Sequence, residues 1–234
     1  MLDTKFWKKY FKTYDVLNMV IPYQELMDDL LNSLEIKEGD LVLDAGAGTG
    51  NLSTKLYDKG AKVVALDSSK EGLEVVKDKN KNIDTVLHDL SKSLSFSNEY
   101  FDKIVVNNVI YTISPNKREN LFKEFYRVLK PGGKIVISDV KDGWKPMNIY
   151  SYHLKEDLKR IGLIKLFFKM IKMIFPTIKM FYYNAKIKKE NKDGDFEFIK
   201  PGEHQKLFLD SGFKNISDNK LVYGDQAYLT SAYK

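Results

Sequence analysis

The chain has 234 residues, 43% of them hydrophobic, a formal net charge of +6 and no cysteine. That length suits one α/β unit with an elaboration and a substantial core. Without cysteine there is no disulfide, catalytic thiol or cysteine-based zinc site; no metal site is expected, and the composition fits a reducing compartment.

The opening M-L-D-T-K-F-W-K-K-Y-F lacks an apolar run of signal-peptide length, so secretion is not expected and a cytoplasmic location is. The first forty residues read as helical, with apolar positions at Leu17, Val20, Ile21, Leu26, Leu30, Leu31 and Leu34, and are expected to form a cap. Leu41 to Gly50 then reads L-V-L-D-A-G-A-G-T-G, an apolar strand ending in an acid and three glycines at alternate positions. Gly46, Gly48 and Gly50 remove the side chains that would hold a small molecule away from the turn. Asn51 and Leu52 follow Gly50 where a P-loop would place lysine and a hydroxyl, so a nucleoside triphosphate is not expected.

A helix over Asn51 to Tyr57 leads to a second strand, Ala61 to Asp67, whose terminal acid can accept two hydrogen bonds from a ribose diol. A third strand, Asn82 to His88, ends at Asp89-Leu90, and a fourth, Phe101 to Val106, ends at Asn107-Asn108. Each finishes with polar residues at its carboxyl end, where open α/β sheets place ligands. The helix through Arg127-Val128-Leu129-Lys130 stops at Pro131-Gly132-Gly133, and a fifth strand runs from Lys134 to Val140. From Pro201 the chain reads as a helix ending at Gly212 and two strands, Phe213 to Ser217 and Gln226 to Ala232.

D-A-G-A-G-T-G, Asp67, the stretch from His88 to Val105 and R-V-L-K-P-G-G-K-I-V-I-S from Arg127 together resemble the class I S-adenosylmethionine-dependent methyltransferases. The likeness spans Leu41 to Val140 and is greatest to the branch that methylates small molecules and lipid precursors, including quinone rings. It implies an α/β Rossmann-like fold: a seven-stranded mixed sheet with helices on both faces, its last strand antiparallel. Residues 1–40 would be a helical cap, 41–140 the cofactor-binding core, 141–199 a helical lid insertion and 200–234 the elements completing the sheet. It also implies S-adenosyl-L-methionine as cofactor. The Gly46-Ala47-Gly48-Thr49-Gly50 turn would lie under the methionine part, and Asp44 would reach its amino group. Asp67 would bind the ribose hydroxyls, Ser68 would border the adenine, and Asp89 with the Leu90 amide would read its edge. Asn107 would face the methionine end, and Tyr14 would close over the cofactor. Each acid also fits the plainer role of a helix cap, Asp67 preceding Ser68-Ser69-Lys70-Glu71.

Between Ser151 and Asp193 lie eleven lysines and arginines against four acids, so the insertion carries the chain's basic character. Lys165, Lys169 and Lys172 are expected on one narrow helical face, with Leu166, Phe167, Phe168, Met170, Ile171 and Ile174 covering the rest. Such a helix fits a lid packed on the sheet domain, or an interfacial element on an anionic membrane over residues 155–189, peripheral at the inner face. Nucleic acid is disfavoured: no RNA-binding module is appended, and Asn107-Asn108-Val109-Ile110 is not the Asn/Asp-Pro-Pro-aromatic tetrad typical of base-amine methylation.

Methyl transfer from a sulfonium is an in-line displacement, so the protein chiefly holds the reactants collinear and dry, and a base serves only a hydroxyl or acidic-carbon acceptor. His153 is the foremost candidate, with Tyr150 or Tyr152 beside it, because the loop after the fifth strand enters the expected acceptor pocket. His88 reads as structural and His204 as a helix opening. Tyr111 and Trp144 are pocket-lining candidates, with plain packing as their alternative. The expected acceptor is small, apolar or lipid-like. A nicotinamide-dependent oxidoreductase and a catalytically silent cofactor-binding or membrane-associating module stand as alternatives. The oligomeric state is open.

Overall fold

The computed structural model describes residues 6, 9–10, 13, 15–190 and 197–234. Among them are seven strands: β1 (Leu41–Ala45), β2 (Lys62–Asp67), β3 (Asp84–Leu87), β4 (Phe101–Asn107), β5 (Leu129–Val140), β6 (Lys220–Val222) and β7 (Ala227–Tyr233). Successive residues of a strand point to opposite faces, and Val42 and Leu43, like Ile104 and Val105, are all fully buried. A sheet buried on both sides must be covered on both sides. The helices that do so are α1 (Ile21–Leu34), α2 (Asn51–Asp58), α3 (Lys70–Lys79), α4 (Pro115–Val128), α5 (Pro146–Glu190) and α6 (Glu203–Asp210). Leu26 and Leu30 of α1, Leu56 of α2, Val76 of α3 and Met173 of α5 pack on one face. Phe122 and Phe125 of α4 and Phe208 of α6 pack on the other.

The strand order is β3-β2-β1-β4-β5-β7-β6, with β1 to β5 parallel and β7 antiparallel to both its neighbours. From β1 the chain builds outward first through β2 and β3, then returns to lay β4 on β1's other edge. That reversal opens a crevice at the carboxyl ends of β1 and β4.

Two boundaries differ from the sequence reading. Pro131-Gly132-Gly133 sits inside β5 as an outward bulge: Phe101 pairs with Leu129, and the register resumes at Lys103 with Lys134. The segment Phe213 to Ser217 is not a strand. Phe213 is buried and Lys214 bridges Tyr233, but Asn215 adopts φ 49°, which turns the backbone out of the extended region, and the edge strand forms only at β6. The insertion is helical as expected, with a break at Gly162 (φ 73°, ψ 171°) and Pro176 inside the second segment. Among the described residues no helix is long and apolar enough to cross a membrane.

Candidate functional site

At the crevice lies a cavity of about 320 Å³ walled by the ends of β1, β2, β3 and β4. The glycine turn forms its floor. Gly46 N–H and Ala47 N–H both donate to Leu66 O, at 2.7 and 3.0 Å, which ties the turn to β2. Gly46 has φ 84°, and a Cβ there would fall 2.2 Å from Val109 Cγ2, whereas a Cβ on Gly48 would meet nothing within 4 Å. The floor is thus fixed from behind at Gly46 and open to a ligand at Gly48. Gly72, in the first turn of α3, lets that helix close on the turn; its Cβ would sit 2.7 Å from Gly48 O.

Asp44, at the end of β1, is buried and accepts a 2.5 Å hydrogen bond from Ser53 Oγ. Burial pushes its carboxyl up to about 7, against the Ser53 hydrogen bond, and the nearby Asp67 charge adds to the rise. Asp67 accepts from Gly48 N–H and Ser69 N–H, each at 2.8 Å. Burial raises its pKa while the Ser69 and Gly48 amides oppose the rise. The helix-cap role falls mainly to Ser69, whose Oγ accepts from Gly72 N–H; Asp67 joins the glycine turn to the start of α3. Asp89 is held below the ordinary carboxylate range, chiefly by the Ser91 N–H.

Asp44, Gly46, Ala47, Gly48, Asp67, Ser68, Asp89, Leu90 and Asn107 all line this one cavity. Gly50 does not; it precedes α2 in a left-handed conformation (φ 72°), with Val76 where its Cβ would be. Tyr14 lies outside the described residues. Tyr10, Leu17 and Tyr23 bring the N-terminal segment to the cavity, and Tyr223 arrives from the turn between β6 and β7. Neither Tyr23 nor Tyr223 carries a local signal, whereas Asn108 was legible as the residue after Asn107.

The acceptor-side expectations need correction. His153 is fully buried and does not line the cavity: its Nδ1 accepts from Ile21 N–H at 3.3 Å, and its Nε2 lies 3.3 Å from Asp157 Oδ2. Tyr150 and Tyr152 are also absent from the cavity wall. The Tyr150 ring tilts against Phe181, and Tyr152 lies where a Gly224 Cβ would point. The physical reason is that the helix begins at Pro146, so these side chains follow helical spacing and pack on α1 and on the rest of α5. Tyr111 stacks on Phe198 and Trp144 meets the same ring edge-on, which is packing. His204 is buried with Nε2 3.2 Å from Asp139 Oδ2. His88, expected to be structural, does line the cavity, and its Nε2 is buried with no hydrogen-bond partner.

Asn107 Oδ1 and Asn108 Oδ1 are likewise buried without a partner, at the end of β4. Two orphaned acceptors and three carboxylates, with no lysine or arginine among the described residues of the wall, suit a ligand that brings donors and positive charge. S-adenosylmethionine, with its ammonium, sulfonium and ribose hydroxyls, fits that description.

A methyltransferase-domain family model matches residues 42–133. The demethylmenaquinone methyltransferase of Paenarthrobacter aurescens is 32% identical over 155 residues, covering 64% of this chain and 60% of that protein. The ubiquinone/menaquinone biosynthesis C-methyltransferase of Neisseria meningitidis serogroup A is 30% identical over 164 residues, covering 64% of this chain and 66% of that protein. The chain thus spans less than two thirds of their length. The 1,6-didemethyltoxoflavin-N1-methyltransferase of Burkholderia thailandensis, solved with S-adenosylhomocysteine, matches with TM-score 0.62 over 99% of this chain and 86% of that one; at 16% identity this is a likeness of fold alone. Residues 42–133 thus match a methyltransferase domain, and the chain resembles the class I S-adenosylmethionine-dependent methyltransferases.

Proposed function

We propose that the protein transfers a methyl group from S-adenosylmethionine to a small, apolar or lipid-like acceptor. The observation that carries this reading is the charge of the cavity: Asp44, Asp67 and Asp89 line it and, among the described residues, no lysine or arginine does. Such a wall attracts a cationic donor and repels the diphosphate of a nicotinamide dinucleotide, which disfavours the oxidoreductase alternative. When bound, S-adenosylmethionine supplies an electrophilic methyl on a positively charged sulfur.

In this reading the Gly46–Gly48 turn lies under the methionine part, and Asp44 attracts its ammonium through the turn or a water. Asp67, already holding two backbone amides, retains lone pairs for the ribose hydroxyls. Ser68, Asp89 and the Leu90 amide border the adenine, and Asn107 faces the methionine end. The N-terminal segment closes the cavity with Tyr10 and Leu17. His153, Tyr150 and Tyr152 hold no base position here, so catalysis rests on alignment and exclusion of water.

The quinone substrates implied by the relatives' names support an apolar acceptor. The basic, apolar insertion supports contact of residues 155–189 with an anionic membrane and a peripheral position at its cytoplasmic face. Calorimetric titration with S-adenosylhomocysteine, and NAD(H) in parallel, tests the central reading. Micromolar binding of the former alone is expected; binding of the dinucleotide alone overturns it.

A further inference from the structure

Beyond Gly162, helix α5 has three faces. Leu166 and Met173 are buried and Met180 is half-buried, a row of seven-residue steps that packs inward. On the far side Ile164, Phe168, Ile171, Phe175, Ile178 and Tyr182 recur at steps of four and three, and are 45 to 75% exposed. At 1.5 Å per residue this stripe is about 27 Å long. Lys165, Lys172 and Lys179, again seven apart, run along one flank and are exposed. Lys169 is not one of them: it turns inward, and its Nζ lies 2.6 Å from Asp157 Oδ2, next to buried His153.

Soluble monomers rarely leave so long a contiguous apolar stripe uncovered. Charge decides what covers it. No acidic residue occurs between Asp157 and Glu190, so a second copy would bring lysines against lysines, whereas an anionic bilayer offers both hydrocarbon and phosphates. The helix is too charged to cross a bilayer.

We infer that residues 163–182 lie flat in the interface of an anionic membrane, the Ile164-to-Tyr182 stripe below the phosphates and Lys165, Lys172 and Lys179 level with them. This rests on the membrane contact proposed above and specifies its orientation. The opposite face of the docked helix carries Met173 into the same core cluster as Tyr23 and Leu52, both of which line the cofactor cavity. The docked helix would therefore lie between the bilayer and the core cluster that backs the cavity.

The test is co-sedimentation of the full chain with phosphatidylglycerol/phosphatidylcholine vesicles and with phosphatidylcholine alone, alongside sedimentation equilibrium. The wild type is expected to partition onto the anionic vesicles only. Lys165→Glu/Lys172→Glu/Lys179→Glu should weaken partitioning on the order of a hundredfold or more, from about fivefold per lysine. Phe168→Ser/Phe175→Ser should weaken it about tenfold or more, with S-adenosylhomocysteine affinity unchanged, and the emission of a Phe175→Trp variant should shift to the blue on anionic vesicles. Anionic binding undiminished by the serine pair overturns the orientation while leaving membrane contact standing. No binding to any vesicle removes both. A dimer that the serine pair dissolves makes a second copy the occupant and overturns the inference.

Discussion

Asp44 gives the sharpest test of the cofactor site. Burial raises its carboxyl from the ordinary 3.8 to about 7, a cost of about 4 kcal/mol for the charged form once fully ionised. A raised carboxylate pKa favours the neutral acid in the fold, so this group's stabilising share is present below pH 3.8 and is lost as pH rises toward 7. A ligand ammonium selects the ionised form. Between pH 7.5 and pH 6, S-adenosylhomocysteine affinity should therefore fall about eightfold, and binding at pH 6 should release close to one proton. Calorimetric titrations in two buffers of different ionisation enthalpy read both quantities. Asp44→Asn should bind more weakly at pH 7.5 and flatten the profile. Equal wild-type affinity at both pH values, with no buffer-dependent heat, would refute the argument.

Asp67→Asn should weaken S-adenosylhomocysteine binding on the order of tenfold or more by titration, and should lower the thermal midpoint because the Gly48 and Ser69 amides lose a charged acceptor. Gly48→Ala puts a methyl into open space on the cavity floor at φ 54°; the fold should lose about 1–2 kcal/mol in denaturant unfolding while cofactor affinity falls tenfold or more. His153→Ala strips the Ile21 amide of its acceptor and should lower stability by about 1–3 kcal/mol with turnover per folded molecule unchanged. A drop in turnover at unchanged stability would return His153 to the catalytic list. Burial holds the His153 pKa below its ordinary 6.5, so its stabilising share is present above 6.5 and is lost as pH falls through the lowered value; wild-type unfolding should show that acid-side loss and His153→Gln should lack it.

The sequence alone determined the parallel sheet and the residues gathered around the cavity at its carboxyl edge. Those residues sit at or just after the carboxyl ends of parallel strands, so the strand pattern alone carries Asp44, Asp67, Asp89 and Asn107 to one edge of the sheet. Glycine is legible for the same reason, since a turn that must lie close under a ligand admits little else at Gly46 and Gly48. Only the tertiary structure decided the rest. Whether a residue of the insertion points at the cavity or into a helix interface depends on helical phase and on what packs against it, which turned His153, Tyr150 and Lys169 away from their expected roles. Tyr23 and Tyr223 reach the cavity from distant segments, through contacts that no local pattern records. The edge strand moved from Phe213–Ser217 to Lys220–Val222 because a single left-handed residue, Asn215, outweighs the β preference of its neighbours.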